Sequence, residues 1–440
     1  MPGGGSIRVL VDNGEYALRN RGDLAMMAIT VRRLREHWPD ARIGMLTDQP
    51  MVLRALLPEA EPVHAATGGH WARSGFTSRI NPGPVALHWR AASDAPKERL
   101  RQIRTAARAT LHRAGRDTAA VLEPAPLPAA LTDASLVIAQ GGGYLTDVDR
   151  YQAHRVLDLL EQAAALGIPT AMIGQGIGPM RDPHLLRRAG AVLPGVDVIA
   201  LREGRRGPDL LAELGVAPGR ILVTGDDAVE FGYALRRAEL GTDLGVCLRV
   251  ADYSRVTPHA RSVLAAVLSA CATEFGAALA PLIVSEYDSE DRRATLPLLI
   301  GARRVRPAVR RSGTATDVAH QVADCRVLVT STYHLAVFAL SQGIPAVALS
   351  ASRYYDDKFH GLAGMFGTGL RIIRLDDDAL EQRLTDAVRE LWTTAPALRD
   401  RLQDRATEQI AAGRTAMARV FGLVDESPHR RAPASRGSAH

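Results

Sequence analysis

The sequence predicts an α/β protein built from two doubly wound, parallel-sheet domains that face a cleft. Three observations carry this expectation. Short apolar or β-branched runs are separated by amphipathic stretches, as a parallel sheet covered on both faces requires. The alternation runs to about residue 225 and restarts near residue 243. The chain has 440 residues, more than the roughly 250–300 at which a single core stops growing.

The elements follow in order. Residues 7–11, 42–46, 135–139, 170–173, 196–201 and 221–223 read as strands, and 24–37 and 151–166 carry helical periodicity. In the second half, 244–250, 279–284, 327–330, 346–349 and 370–374 read as strands, with helical patterns over 259–275, 335–341 and 379–392. The polar stretch 231–242 reads as the linker. The expected organisation is one domain over 1–235 with an insertion at about 60–130, a second over 243–425, and a disordered tail over 426–440, rich in Ser, Pro, Arg and His. The insertion contains a basic segment, 97–116, that reads either as a solvated helix face or as a contact for an anionic acceptor or membrane surface.

Composition narrows the class. With 46% hydrophobic and 23% charged residues the chain is an ordinary globular protein. No apolar run reaches the roughly 18 residues of a membrane span. The start, MPGGGSIRVLVDN, lacks the basic and apolar blocks of a leader peptide. A cytoplasmic protein is expected, working in solution or at the inner face of the membrane. Cys247, Cys271 and Cys325 are far apart and form no CxxC pair, which argues against a disulfide framework or a zinc site. The net charge of +6 comes almost wholly from arginine, since Lys97 and Lys358 are the two lysines. It reads as compositional bias, or as attraction for an anionic substrate or an anionic membrane face. No aromatic-rich basic face is visible, so nucleic acid is not an expected partner.

In open α/β sheets, ligands bind beyond the carboxyl ends of the strands, so the turns there are the candidates. After 135–139 comes Gly141-Gly142-Gly143, where bare backbone N–H groups and the start of the next helix would cradle an anion. After 170–173 comes Gly174-Gln175-Gly176-Ile177-Gly178-Pro179, with Gln175 the side chain best able to reach a ligand. After 196–201 come Arg202 and Glu203, which could pair with each other. Thr224-Gly225-Asp226-Asp227 offers paired carboxylates, suited to metal binding, acid–base work or helix capping. Arg249 ends its strand as a clamp for a carboxylate or phosphate, or as half of an ion pair. Ser331-Thr332-Tyr333-His334 opens an apolar helix, where the dipole would keep the imidazole neutral and fit to act as a base. Lys358 lies in a Tyr- and Asp-rich loop, able to neutralise an anion or to pair with Asp357.

Together these pieces resemble the polysaccharide pyruvyl transferase family. The matching segments are Asn20-Arg21-Gly22-Asp23, Gly141-Gly142-Gly143, Gly174-Gln175-Gly176-Ile177-Gly178-Pro179, Leu201-Arg202-Glu203, Thr224-Gly225-Asp226-Asp227, and the His334 helix followed by Gly343-Ile344-Pro345 and the Asp357-Lys358 loop, over about residues 7–375. The resemblance implies two Rossmann-like halves similar to GT-B glycosyltransferases. It also implies transfer of a pyruvyl group from phosphoenolpyruvate to a sugar as a ketal. No metal and no cofactor are then expected, phosphoenolpyruvate being a co-substrate. The partner would be a sugar or glycan acceptor, free or lipid-linked. In that reading His334 is the general acid/base, and Asp226 and Gln175 orient acceptor hydroxyls. Arg249 and Lys358 hold the donor, beside Arg202, Gly176, Ser331, Thr332, Tyr333 and the glycine turn. Where the family carries arginine two residues before the histidine, this chain has Thr332; Arg249, Arg202 or Lys358 would take that part. The rivals are a nucleotide-sugar glycosyltransferase on the same architecture and a non-catalytic sugar-phosphate-binding protein.

Overall fold

The strands predicted from the apolar runs are all present, each shifted by a few residues at most at its ends. The computed structural model describes residues 6–65, 69–71, 83–93, 127–250, 256–287 and 290–426. The basic segment 97–116 and the expected tail beyond residue 426 lie outside the described residues, as does most of the expected insertion.

The first sheet comprises β1 (Arg8–Asp12), β2 (Arg42–Thr47), β3 (Glu61–His64), β4 (Leu136–Gln140), β5 (Thr170–Gln175), β6 (Val198–Leu201) and β7 (Ile221–Val223). Its order is β3-β2-β1-β4-β5-β6-β7, with every pair parallel. The second comprises β8 (Asp243–Cys247), β9 (Leu279–Pro281), β10 (Cys325–Thr330), β11 (Ala346–Ser350) and β12 (Leu370–Arg374), in the parallel order β12-β11-β10-β8-β9. Strand β3 was not expected. It is a four-residue edge strand that contains Pro62, a composition that hides an edge strand from pattern reading.

Each sheet winds outward from its first strand in one direction and then resumes on the other side. The winding reverses between β1 and β4 in one sheet and between β8 and β10 in the other. Register pairs Asp12 with Ala139 and Cys247 with Thr330, so the loops leaving these four strands rise side by side at the two reversal points, where α/β ligand sites form.

The helices that matter here are α1 (Arg21–His37), α2 (Arg150–Ala165), α3 (Gly207–Glu213), α4 (Ala228–Ala234), α5 (Pro258–Glu274), α6 (Glu290–Thr295), α7 (Tyr333–Ser341), α8 (Arg353–Phe366) and α9 (Leu380–Asp425). Helix α1 starts where Asn20 accepts from the Gly22 N–H at 3.1 Å, with Asp23 in its first turn and Arg35 and His37 in its last, all favourable to the dipole. Helix α7 is buried along its whole length, so its apolar sequence has no face to reserve for water.

Two expectations are corrected. The linker expected over 231–242 begins as helix α4, whose buried side packs between α1 and α7; only the part beyond Ala234 is a connection. The helical pattern expected to stop at 392 continues through Pro396 to Asp425. Its first half covers the second sheet through Leu384, Val388 and Leu391. Its last turns return to the first sheet, where Met417, Val420 and Val424 share a core with Val9, Ile43 and Leu34. The last helix therefore belongs to both sheets. Each such buried aliphatic side chain contributes roughly 1.5–3 kcal/mol.

Candidate active site

The two reversal points enclose a cleft of about 370 Å³. The first helix supplies its floor. Arg21 is buried and crosses to the second sheet's side, donating from Nη1 to the Ile283 carbonyl at 2.7 Å, from Nε to Gly313 at 2.9 Å and from Nη2 to Arg310 at 2.9 Å. This fixes the tip of α1 beneath the start of α7. Gly22 lies flat under the His334 ring, and a Cβ there would overlap the imidazole. Asp23 then faces His334, with Oδ1 3.9 Å from Nε2. Burial, reinforced by the carboxylates of Glu15 and Asp226, pushes the Asp23 carboxyl up to about 8.

On the other side of the imidazole stands Asp226. Gly225 adopts φ 90°, a left-handed conformation that suits glycine, and brings the turn against Gln409 of α9. Asp226 Oδ1 accepts from the Ala228 N–H at 2.8 Å, so the capping role holds. Its Oδ2 is buried without a hydrogen bond, 3.8 Å from His334 Nε2 and 3.8 Å from Arg202 Nη1. Burial, opposed by Arg202, leaves this carboxyl raised to about 6. His334 Nε2 likewise lacks a hydrogen-bond partner. Burial first, then the fields of Arg202, Lys358 and Arg249, hold the imidazole well below its ordinary basicity. The neutral ring expected from the helix dipole is thus favoured chiefly by desolvation. Asp227 points away and binds Arg33 at 2.6 Å.

Arg202 does not pair with Glu203 as a simple surface couple. It is buried against Gly176, lies over the Tyr333 ring at 4.2 Å, and faces Asp226. Lys358 reaches across from α8. Its Nζ hydrogen-bonds the Tyr354 hydroxyl and sits over that ring, while the hydroxyl donates to the Gly143 carbonyl at 3.0 Å. Burial and Arg202 hold its ammonium well below the usual lysine range. Asp357 turns instead toward Arg205 and Arg206.

Several expected ligand contacts are corrected. Arg249 lines the cleft, but its Nε and Nη2 grip Asp291 at 2.8 and 3.1 Å. Asp291 also accepts from the Val284 and Ser285 N–H groups, so this arginine organises the second domain's rim. Gln175 is fully buried and donates to the Tyr144 hydroxyl at 2.6 Å and to the carbonyl of Gln140 at 3.0 Å; it shapes the glycine turn from behind. Gly141 packs on the Gly174 carbonyl, and only Gly142 and Gly143 of that turn line the cleft. The helix dipole expected there is displaced, because α2 starts at Arg150, capped by Asp149. Ser331 uses its hydroxyl to accept from the Arg249 N–H at 2.7 Å. Thr332 lines the cleft, its hydroxyl 2.8 Å from that of Thr330. Tyr333 lines it too, under Arg202, with a buried hydroxyl that has no hydrogen bond. Gly176 backs Arg202 in an adjoining chamber.

Residues that sequence reasoning did not place at the site are Asp23, Asn13, Glu15, Tyr144, Tyr287 and Tyr354, all lining the cleft. Glu15 accepts from the Tyr287 hydroxyl at 2.7 Å, joining the loop after β1 to the second domain. Among the described residues no group of three or more His, Cys, Asp or Glu is placed to hold a metal ion, and no helix is long and apolar enough to cross a membrane.

The fold has solved relatives. A Listeria monocytogenes protein solved as a candidate UDP-N-acetylglucosamine 2-epimerase superimposes with a TM-score of 0.56 at 13% identity, covering 96% of this chain and 98% of the other. The kitacinnamycin glycotransferase gives 0.53 at 16% identity, covering 97% and 100%. The Neisseria meningitidis UDP-GlcNAc 2-epimerase, bound to UDP-GlcNAc, gives 0.52 at 11% identity, covering 96% and 100%. These likenesses establish the two-domain GT-B-like fold. By sequence, no curated protein matches the chain. The family model of polysaccharide pyruvyl transferase matches residues 20–353. That span runs from the cap of α1 to the first residue of α8 and takes in the glycine turn after β4 and the whole reversal point of the second sheet, and the chain belongs to the polysaccharide pyruvyl transferase family.

Proposed function

We propose that the protein transfers the pyruvyl group of phosphoenolpyruvate to two hydroxyls of a sugar, forming a ketal and releasing phosphate. The observation that carries this reading is the meeting of Asp23, Asp226 and His334 within 4 Å, beside Arg202 and Lys358, in a chain of this family. Ketal formation needs a proton on the methylene carbon of the donor, which leaves an oxocarbenium-like C2. Asp23, held protonated by burial, is suited to deliver it. His334, held neutral, takes the proton of the attacking hydroxyl, and the unpaired oxygen of Asp226 stabilises the imidazolium so formed. Phosphate then leaves with its bond electrons, and the second hydroxyl adds to C2 as its proton passes to the departing phosphate. Arg202 and Lys358 stabilise the donor's charge, in the part that arginine plays two residues before the histidine in the family pattern. Bound anion would restore the Lys358 ammonium, whose depressed basicity reflects burial beside Arg202.

Incubating the protein with phosphoenolpyruvate and a panel of sugar acceptors tests this reading. Release of inorganic phosphate with a pyruvyl mass gain on the acceptor is expected. Turnover of a nucleotide sugar with nucleotide release, and none of phosphoenolpyruvate, would replace it with the glycosyltransferase reading that the fold relatives suggest.

A further inference from the structure

Arg202 and Lys358 line a second chamber as well, of about 310 Å³, on the Gly176 side. Its floor is apolar, formed by Ile177, Met180 and Leu210, and its rim carries Arg181, Arg205 and Arg206. These arginines are loosely held. Arg206 Nε stands 3.4 Å and Arg205 Nη1 3.6 Å from Asp357 Oδ1, against 2.8 Å for the Arg249–Asp291 pair. Arg181 makes no ion pair among the described residues. Asp357 Oδ2 is buried with no hydrogen-bond partner. Of the other acids lining the chamber, Glu203 accepts from the Arg205 N–H at 2.7 Å, while Asp209 and Glu213 are exposed.

An apolar floor suits the C–H face of a sugar ring, and a rim of guanidinium groups suits an oxyanion, which arginine binds through paired N–H donors. We propose that this chamber is the acceptor subsite, and that it takes a sugar carrying an oxyanion whose hydroxyls point past Arg202 and Lys358 into the catalytic cleft. The inference rests on the reading of the cleft as the donor site. The oxyanion could be the carboxylate of a uronic acid or a phosphate ester, which share this chemistry.

Calorimetric titration of the full chain tests it, with methyl glucuronoside, a hexose phosphate, neutral methyl glucoside and phosphoenolpyruvate as separate ligands. At least one acidic sugar is expected to bind about tenfold more tightly than the glucoside, the scale of one charge-assisted hydrogen bond; the sugar that does so identifies the oxyanion. The double variant Arg205→Gln/Arg206→Gln, at exposed positions that do not touch the fold's core, should lose this preference while binding phosphoenolpyruvate as before. Equal binding of acidic and neutral sugars, a preference that survives in the variant, or an acidic sugar that displaces phosphoenolpyruvate would each overturn the proposal. Failure of phosphoenolpyruvate to bind, with the sugar preference still following Arg205 and Arg206, would sink the donor reading and leave the chamber standing.

Discussion

His334 lies between two carboxyls raised by burial to different degrees, and that difference makes the site testable residue by residue. His334→Ala should lower turnover by roughly 10²–10⁴ if the imidazole transfers the proton; near-normal activity would remove it from the mechanism. The pH profile of kcat/KM should be bell-shaped. The acid limb follows Asp226, which must be ionised and is lost as pH falls through about 6. The alkaline limb follows Asp23, which must be protonated and is lost as pH rises through about 8. Asp23→Asn should abolish most of the turnover, and any residual activity should lack the alkaline limb. Stability should move the other way. The folded-state carboxyl of Asp23 is raised from 3.8 to about 8, so its contribution is fully present below pH 3.8 and is lost as pH rises through 8. The Asn variant should therefore gain melting temperature over the natural protein at pH 8, and the gain should shrink toward pH 4. An equal shift at both pH values would show that Asp23 is not the group titrating. Gly22→Ala, which forces the imidazole aside, should cost roughly 10² in kcat with circular dichroism unchanged.

At the scale of the element, legibility depended on what local pattern can carry. Apolar strands and the glycine turns announce themselves by composition. Asp23 did not, because an acid three residues after an Asn cap is what any helix start favours. Its setting in the cleft arises only when the first turn of α7 brings His334 against the first turn of α1. Gln175 and Arg249 misled for the opposite reason. Both sit at strand ends where ligands bind, yet neighbours distant in sequence, Tyr144 and Asp291, already occupy them. The true extent of α9 was hidden by Pro396 and by its mostly polar sequence. This helix also closes a buried ion network, in which Arg33 of α1 binds Asp227 and Glu230 while Arg414 of α9 binds Glu230. Arg33→Ala would strand the buried Asp227 carboxylate and leave Glu230 to Arg32 and Arg414, and should cost about 3–5 kcal/mol, read as a lower urea midpoint at unchanged slope. A loss under about 1 kcal/mol would mean the network is solvated and contributes as little as a surface pair does.

At the scale of the molecule, the two sheets were legible as two domains, but the ties between them were not. Arg21, the Glu15–Tyr287 hydrogen bond and α9 each join both halves. Calorimetry of the natural protein should show one unfolding transition. Arg21→Ala, which leaves several carbonyls without their donor, should separate it into two, or lower it by roughly 3 kcal/mol. A single transition at an unchanged temperature would show that the other ties suffice.

The return of α9 to the first sheet also bears on how the chain is made. Met417, Val420 and Val424 are among the last described residues to leave the ribosome, yet they complete a core begun by Val9 and Ile43. The first half cannot finish folding while it waits for them. Ribosome-bound nascent chains that stop before residue 413 should be cut by protease at sites that the released, full-length chain protects. Two pieces divided near residue 240 should recover activity only when mixed, because the histidine and the glycine beneath it would come from different pieces.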